Sequence, residues 1–122
     1  MSGHNYLADT NAFILLLDKN PALLPVLESE WFYCFITEIE LRGKFGISSR
    51  ELRVIDDLLS TCTKIHFSEE VNRIAIQLKQ TFRIKTPDAI IAATAIHAGM
   101  PLLSFDKGFA QIKKLDLVLL EP

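Results

Sequence analysis

The chain has 122 residues, 49% of them hydrophobic, 9% aromatic and 23% charged, a composition that suits a single domain, residues 1–122, burying roughly two thirds of its unfolded surface. Its 13 basic and 15 acidic residues leave a formal net charge of -2, so no global positive field advertises nucleic acid and any such contact has to be local. The two cysteines, Cys34 and Cys62, match neither a disulfide framework nor a zinc-ligand spacing and fit a reducing compartment. No apolar run reaches the ~18 residues of a membrane span, and the start MSGHNY has neither the basic nor the apolar region of a signal peptide. A cytoplasmic protein with no membrane partner is the expectation, and His4 is assigned no role.

In chain order, YLA before Asp9 reads as a short strand and TNAFILLL as a buried helix that stops near DKNP, where Asn20 and Pro21 break it. PALLPVLES is a short helix or turn. The aromatic and β-branched run WFYCFIT, from Trp31, predicts the second strand, after which EIELRGKFGI takes helical spacing until Gly43 and Gly46 weaken it. SSRELRVIDDLLSTC opens on serine N-cap candidates, and Leu52, Ile55, Leu58 and Leu59 line one face with charges opposite. KIHF predicts a third strand, with His66 inside it. Ser68 caps EEVNRIAIQLKQTF, whose Glu69 and Glu70 sit well in the first turn. Thr86 as N-cap and Pro87 as first helical residue open DAIIAATAIHAG, a helix apolar on nearly every side and so central, with His97 near its far end. PLLSF is the fourth strand, DKGFAQIKK a turn and short helix, LDLVLL the fifth strand. Short, continuously apolar strands alternating with helices predict an α/β fold: a three-layer α/β/α sandwich around a mostly parallel five-stranded sheet.

Ligands of such sheets collect beyond the carboxyl ends of the strands. Asp9 lies just past the first strand, Asp106 just past the fourth, Glu40 in the first turns of the helix after the second, and Asp88 at the start of the central helix. Each has an ordinary use as a helix cap, dipole partner, solvated surface charge or turn aspartate. Together they carry more weight. Two carboxylates about 4 Å apart repel by roughly 4 kcal/mol at an effective dielectric near 20, so a group of four takes up protons or holds a cation. Oxygen donors without histidine or cysteine favour Mg²⁺ or Mn²⁺, and the chemistry implied is metal-dependent phosphodiester hydrolysis. His66 and His97 are read as structural. Arg42, Lys44, Arg83, Lys85 and Lys107 are candidate phosphate contacts, with solvated surface charge their ordinary use.

YLADTNAFI, ITEIELRG, TPDAIIAATAIHAG and PLLSFDKGF, in that order, resemble the PIN domain, in particular the small ribonucleases of VapC type, over essentially the whole chain. DAIIAATA followed by LLSFDKGF is the most specific part. The resemblance implies that Asp9, Glu40, Asp88 and Asp106 form an acidic Mg²⁺ or Mn²⁺ site and that Ser104 orients it by hydrogen bonding. It also implies supporting polar roles for Thr10 and Asn11, whose alternative use is capping the first helix, and for Thr37, for which N-capping serves equally well. Strand order 3-2-1-4-5, an RNA substrate cut to leave a 5′ phosphate, frequent homodimers and an antitoxin whose tail covers the active site are implied in the same way.

Two other readings remain open. A phosphatase or phosphoaspartyl receiver also carries an aspartate after the first strand, but here Asn11 stands where such phosphatases have their second acid. A PIN-like module that binds RNA or protein without hydrolysing anything would use the acids only as caps. Apolar residues of ALLPVL, with Phe45 and Ile47, are candidates for a dimer or antitoxin interface, core packing being their ordinary use.

Overall fold

The computed structural model describes residues 4–122, so the part of the signal-peptide reading that rests on residues 1–3 lies outside it. Five strands, β1 (Asn5–Ala8), β2 (Glu30–Tyr33), β3 (Thr63–Lys64), β4 (Leu102–Ser104) and β5 (Leu117–Leu119), form one sheet in the order β3-β2-β1-β4-β5. Every pairing is parallel. Parallel neighbours need crossovers, supplied by helices α1 (Thr10–Leu17), α2 (Phe35–Arg42), α3 (Ser49–Ser60), α4 (Glu69–Thr81) and α5 (Thr86–Ala98), with 3-10 turns at Pro21–Val26 and Lys107–Gln111.

Successive strand residues face opposite sides of a sheet, and the core divides accordingly. Leu7 and Leu102 pack with Val71, Ile74 and Leu78 of α4 and with Ala89, Ile91 and Ala92 of α5. Their neighbours Ala8 and Leu103 pack on the other face with Phe13 of α1, Leu41 of α2, and Ile55 and Leu59 of α3. Phe13 meets Trp31 and Tyr33 edge-on at centroid separations of 5.2 and 6.3 Å, a geometry worth about 0.5–1.5 kcal/mol per pair beyond area burial. The expected three layers are present. Helix α5 is buried along Ala89 and Ile91–Ala95, its alanines letting the backbone lie close to its neighbours, and Gly99 ends it in the left-handed conformation (φ 67°).

Several expectations need correction. Strand β2 stops at Tyr33, and Phe35, Ile36 and Thr37 begin α2 instead; a short apolar, β-branched run does not separate strand from helix by periodicity. Cys34, not Thr37, holds the cap position, without a side-chain bond, and Thr37 is fully buried inside the helix. Strand β3 has two residues: its register ends at Lys64, paired with Tyr33, the last residue of β2, and Ile65 N adds one more bond to Tyr33 O at 2.8 Å. His66 therefore lies outside the strand and is exposed, as is His97 in the last turn of α5. The N-cap of α5 is Lys85, which puts Thr86 and Pro87 inside the helix and Asp88 third from the cap. In ALLPVL, Leu23 and Val26 are core while Leu24 is exposed, and Phe45 is fully exposed. Both cysteines are free thiols.

Candidate active site

Strand order reverses at β1 and β4, and the crevice beyond their carboxyl ends is the switch point where open parallel sheets hold ligands. Asp9 follows β1 directly and is 5% exposed. Its Oδ1 accepts from Ala12 N at 2.9 Å, capping α1, and its Oδ2 accepts from the Ser104 hydroxyl at 2.5 Å. Ser104 ends β4, is fully buried, and its Oγ in turn accepts from Asp106 N at 2.9 Å. One hydroxyl thus ties the acid after β1 to the backbone of the acid after β4. Asp106 accepts from Gly108 N at 2.8 Å through Oδ1, which fixes it at the head of the 3-10 turn, where it is exposed.

Glu40 reaches the same edge from the second turn of α2. The Thr10 hydroxyl donates to Glu40 Oε1 at 2.5 Å and lies 3.2 Å from Thr37 Oγ1. Asp9, rather than Thr10 or Asn11, caps α1, so Thr10 is left to join α1 to α2 at the acidic edge. Asp9, Thr10, Asn11, Glu40, Asp88 and Asp106 line one open cavity of about 370 Å³, walled by Ile14 and Ile91. The two isoleucines were not singled out from the sequence. Their signal is helical spacing, Ile14 one turn past Thr10 and Ile91 one turn past Asp88 on the same faces.

Electrostatics couple the acids. Burial pushes the Asp9 carboxyl above its ordinary value; Ser104 and Ala12 pull it back, and Asp106 and Asp88 push it further up. Burial, then Asp106 and Glu40, likewise raise Asp88 against the opposing pull of Lys85. Two carboxylates that resist ionising, Asp9 and Asp88, gathered with two further acids at one edge, form a site poised for a cation or for protons. Among the described residues, no three His, Cys, Asp or Glu side chains converge closely enough to hold an ion as they stand. The donor set is nevertheless suited to a hard, hydrated ion that takes one or two carboxylates and keeps waters at its other positions.

Of the candidate phosphate contacts, Arg42 is paired with Asp56, and Lys44 with Glu51 at 2.9 Å. Arg83, Lys85 and Lys107 are exposed and make no salt bridge among the described residues. A larger cavity of about 560 Å³ lies between α1, α2 and α3, floored by Leu17, Leu41, Val54 and Ile55, and it shares Ile14 and Glu40 with the acidic one. Among the described residues, no helix is long and apolar enough to cross a membrane.

The family model of the PIN domain matches residues 6–115. No curated protein sequence matches the chain. Among solved structures it is similar to a chain of a toxin-antitoxin complex from Klebsiella pneumoniae, at 28% identity and a TM-score of 0.78, covering 93% of this chain and 95% of that one. It is also similar to VapBC-1 from nontypeable Haemophilus influenzae, at 25% identity and a TM-score of 0.80 over 94% and 97% of the two chains. DNA-bound VapBC from Salmonella typhimurium, at 17% identity with a TM-score of 0.80 over 95% and 98%, shares the fold. With the strand order, the acids gathered at its switch point and the family model all agreeing over nearly its whole length, the chain belongs to the PIN domain family.

Proposed function

We propose that the protein is a metal-dependent endoribonuclease and the toxin of a toxin-antitoxin pair. The observation that carries this reading is the cavity at the sheet's switch point, into which separate elements bring Asp9, Glu40, Asp88 and Asp106. Asp9, Asp88 and Asp106 would hold Mg²⁺ or Mn²⁺, and Glu40 would hold it or act through a bound water. When bound, such an ion acidifies a water and neutralises charge on a phosphodiester. The protein's own part is positional. Ser104 keeps one oxygen of Asp9 aimed while Ala12 N holds the other, and Thr10 fixes Glu40 across the α1–α2 junction. Because burial and the neighbouring acids favour the protonated forms of Asp9 and Asp88, loading the ion displaces protons from this edge and strengthens as pH rises.

The toxin assignment draws on the likeness to chains from toxin-antitoxin complexes. The apolar cavity between α1, α2 and α3 opens beside Glu40 and offers an antitoxin segment a seat from which to cover the acids. A dimer of this chain belongs to the same proposal, and light scattering checks it.

The test is cleavage of structured and unstructured RNAs with Mn²⁺, with Mg²⁺ and with chelator, using Asp88→Asn purified identically. Cleavage that needs metal and vanishes in the variant is the expected result. Cleavage that persists in chelator, or in the variant at the wild-type rate, overturns the assignment.

A further inference from the structure

The link between α4 and α5 runs Phe82-Arg83-Ile84-Lys85, and its backbone is extended at both ends (φ -124°, ψ 152° at Phe82; φ -69°, ψ 149° at Lys85). Alternate side chains of an extended segment face opposite ways. Phe82 and Ile84 pack against the core, which turns Arg83 and Lys85 outward together. Both line a cavity of about 210 Å³ with Asp88, Asp106, Gly108 and Gln111. Asp88 and Asp106 also line the acidic cavity, so two carboxylates form a shared wall with acids on one side and two cations on the other.

This link is held in place. Lys79 Nζ donates to Ile84 O at 3.0 Å from the last turn of α4. Gln111 Nε2 donates to Gly108 O at 3.0 Å and reaches Arg83 O at 3.5 Å. Arg42 and Lys44 are each neutralised by an acid of α3, whereas Arg83 and Lys85, beside the acidic cavity, are among the cations that make no salt bridge among the described residues.

We infer that this second cavity is a subsite for a backbone phosphate adjoining the one that is cut, held by Arg83 and Lys85. The class of ligand rests on the ribonuclease reading above. A polyanion approaching four carboxylates is repelled unless cations beside them hold its neighbouring charge, and a guanidinium with an ammonium group suits a phosphate there. Such contacts set the strand's position and carry no base information.

The probe is a short fluorescein-labelled oligouridine, its anisotropy followed in chelator from about 50 to 200 mM salt. Arg83→Gln/Lys85→Gln is expected to weaken binding about tenfold at low salt and to reduce the slope of log K against log salt by ~0.7 for each phosphate no longer neutralised. Lys19→Gln/Arg53→Gln removes the same charge from exposed positions lining neither cavity and is expected to leave both values near wild type. Arg83→Lys/Lys85→Arg is expected to restore them. Equal losses in the two charge-matched variants, an unchanged slope, or no binding by wild type at the lowest salt overturns the subsite. Metal-dependent cleavage of the same strand is read separately. Absence of cleavage across the structured and unstructured RNAs while the Arg83/Lys85 effect holds removes the nuclease reading and leaves a phosphate-binding site with no scissile neighbour, whereas cleavage without that effect removes the subsite alone.

Discussion

Glu51 and Asp88 stand at the same position of two helices, third from the N-cap of α3 and of α5, where both gain from the helix dipole. Their surroundings treat them oppositely. Glu51 accepts from Lys44 Nζ at 2.9 Å and from Ser48 N at 3.3 Å, while Ser48 Oγ accepts from Glu51 N at 3.0 Å. The Lys44 hydrogen bond, with those to Ser48, draws the Glu51 carboxyl below its ordinary value. Helix α5 has no side-chain cap bond, and burial, then Asp106 and Glu40, raise Asp88 against the weaker pull of Lys85 alone. An acid consumed by local structure stabilises its own helix. An acid left uncompensated is held in place by the packing of the helix that carries it, and remains available for chemistry.

Metal binding is expected to separate the two most widely. At about a hundredfold excess of Mn²⁺ over Kd the wild type gains about 2.7 kcal/mol, of order 10 °C in Tm for a chain of this size. Asp88→Asn is expected to lose most of that gain and Glu51→Gln to keep it; equal shifts in differential scanning fluorimetry break the comparison. Ser104→Ala comes next. It removes the hydroxyl that donates to Asp9 and accepts from Asp106 N in a fully buried position, so a stability loss of about 1–3 kcal/mol and a drop in Mn²⁺ affinity of about 10–100-fold are expected from urea melts and calorimetry.

Ser48→Ala sharpens the contrast from the other side. It is expected to cost about 1 kcal/mol of stability in urea with the Mn²⁺ shift intact; a lost shift would mean that α3 also shapes the site. The smallest effects are on the pH dependence of the metal-free protein. Asp9 and Asp88 have folded pKa values above the ordinary 3.8, so the native state binds the extra protons and stability falls as pH rises from about 3.8 through those folded values. Glu51 lies below the ordinary 4.5, so its contribution is present above about 4.5 and fades as pH falls through the folded value. Asp88→Asn should flatten the first trend and Glu51→Gln the second; the opposite pairing in urea melts across pH sinks the comparison.

Features that depend on neighbours along the chain were legible in the sequence. Alternating apolar runs, breakers and caps are local signals, and they placed all five strands, the helices around them, Asp9, Asp88 and Asp106 near segment ends, and Glu40 on the helix after the second strand. Asp9 beside a strand end and Asp88 opening an apolar helix were legible for the same reason. Boundaries that depend on pairing were not. Phe35–Thr37 has the residue types of a strand, yet it turns into α2, and the register of β2 with β3 ends at Tyr33 and Lys64.

Tertiary structure alone decided which groups meet. Ser104 bonds Asp9 across 95 positions, and Thr10 bonds Glu40 across 30, separations for which no sequence periodicity exists. It also sorted cations alike in composition into paired and unpaired: α3 brings acids within ion-pair distance of Arg42 and Lys44, whereas Asp88 and Asp106 share a cavity with Arg83 and Lys85 without forming a salt bridge among the described residues. Charge type is a property of the residue, whereas neutralisation is a property of the neighbour that folding supplies.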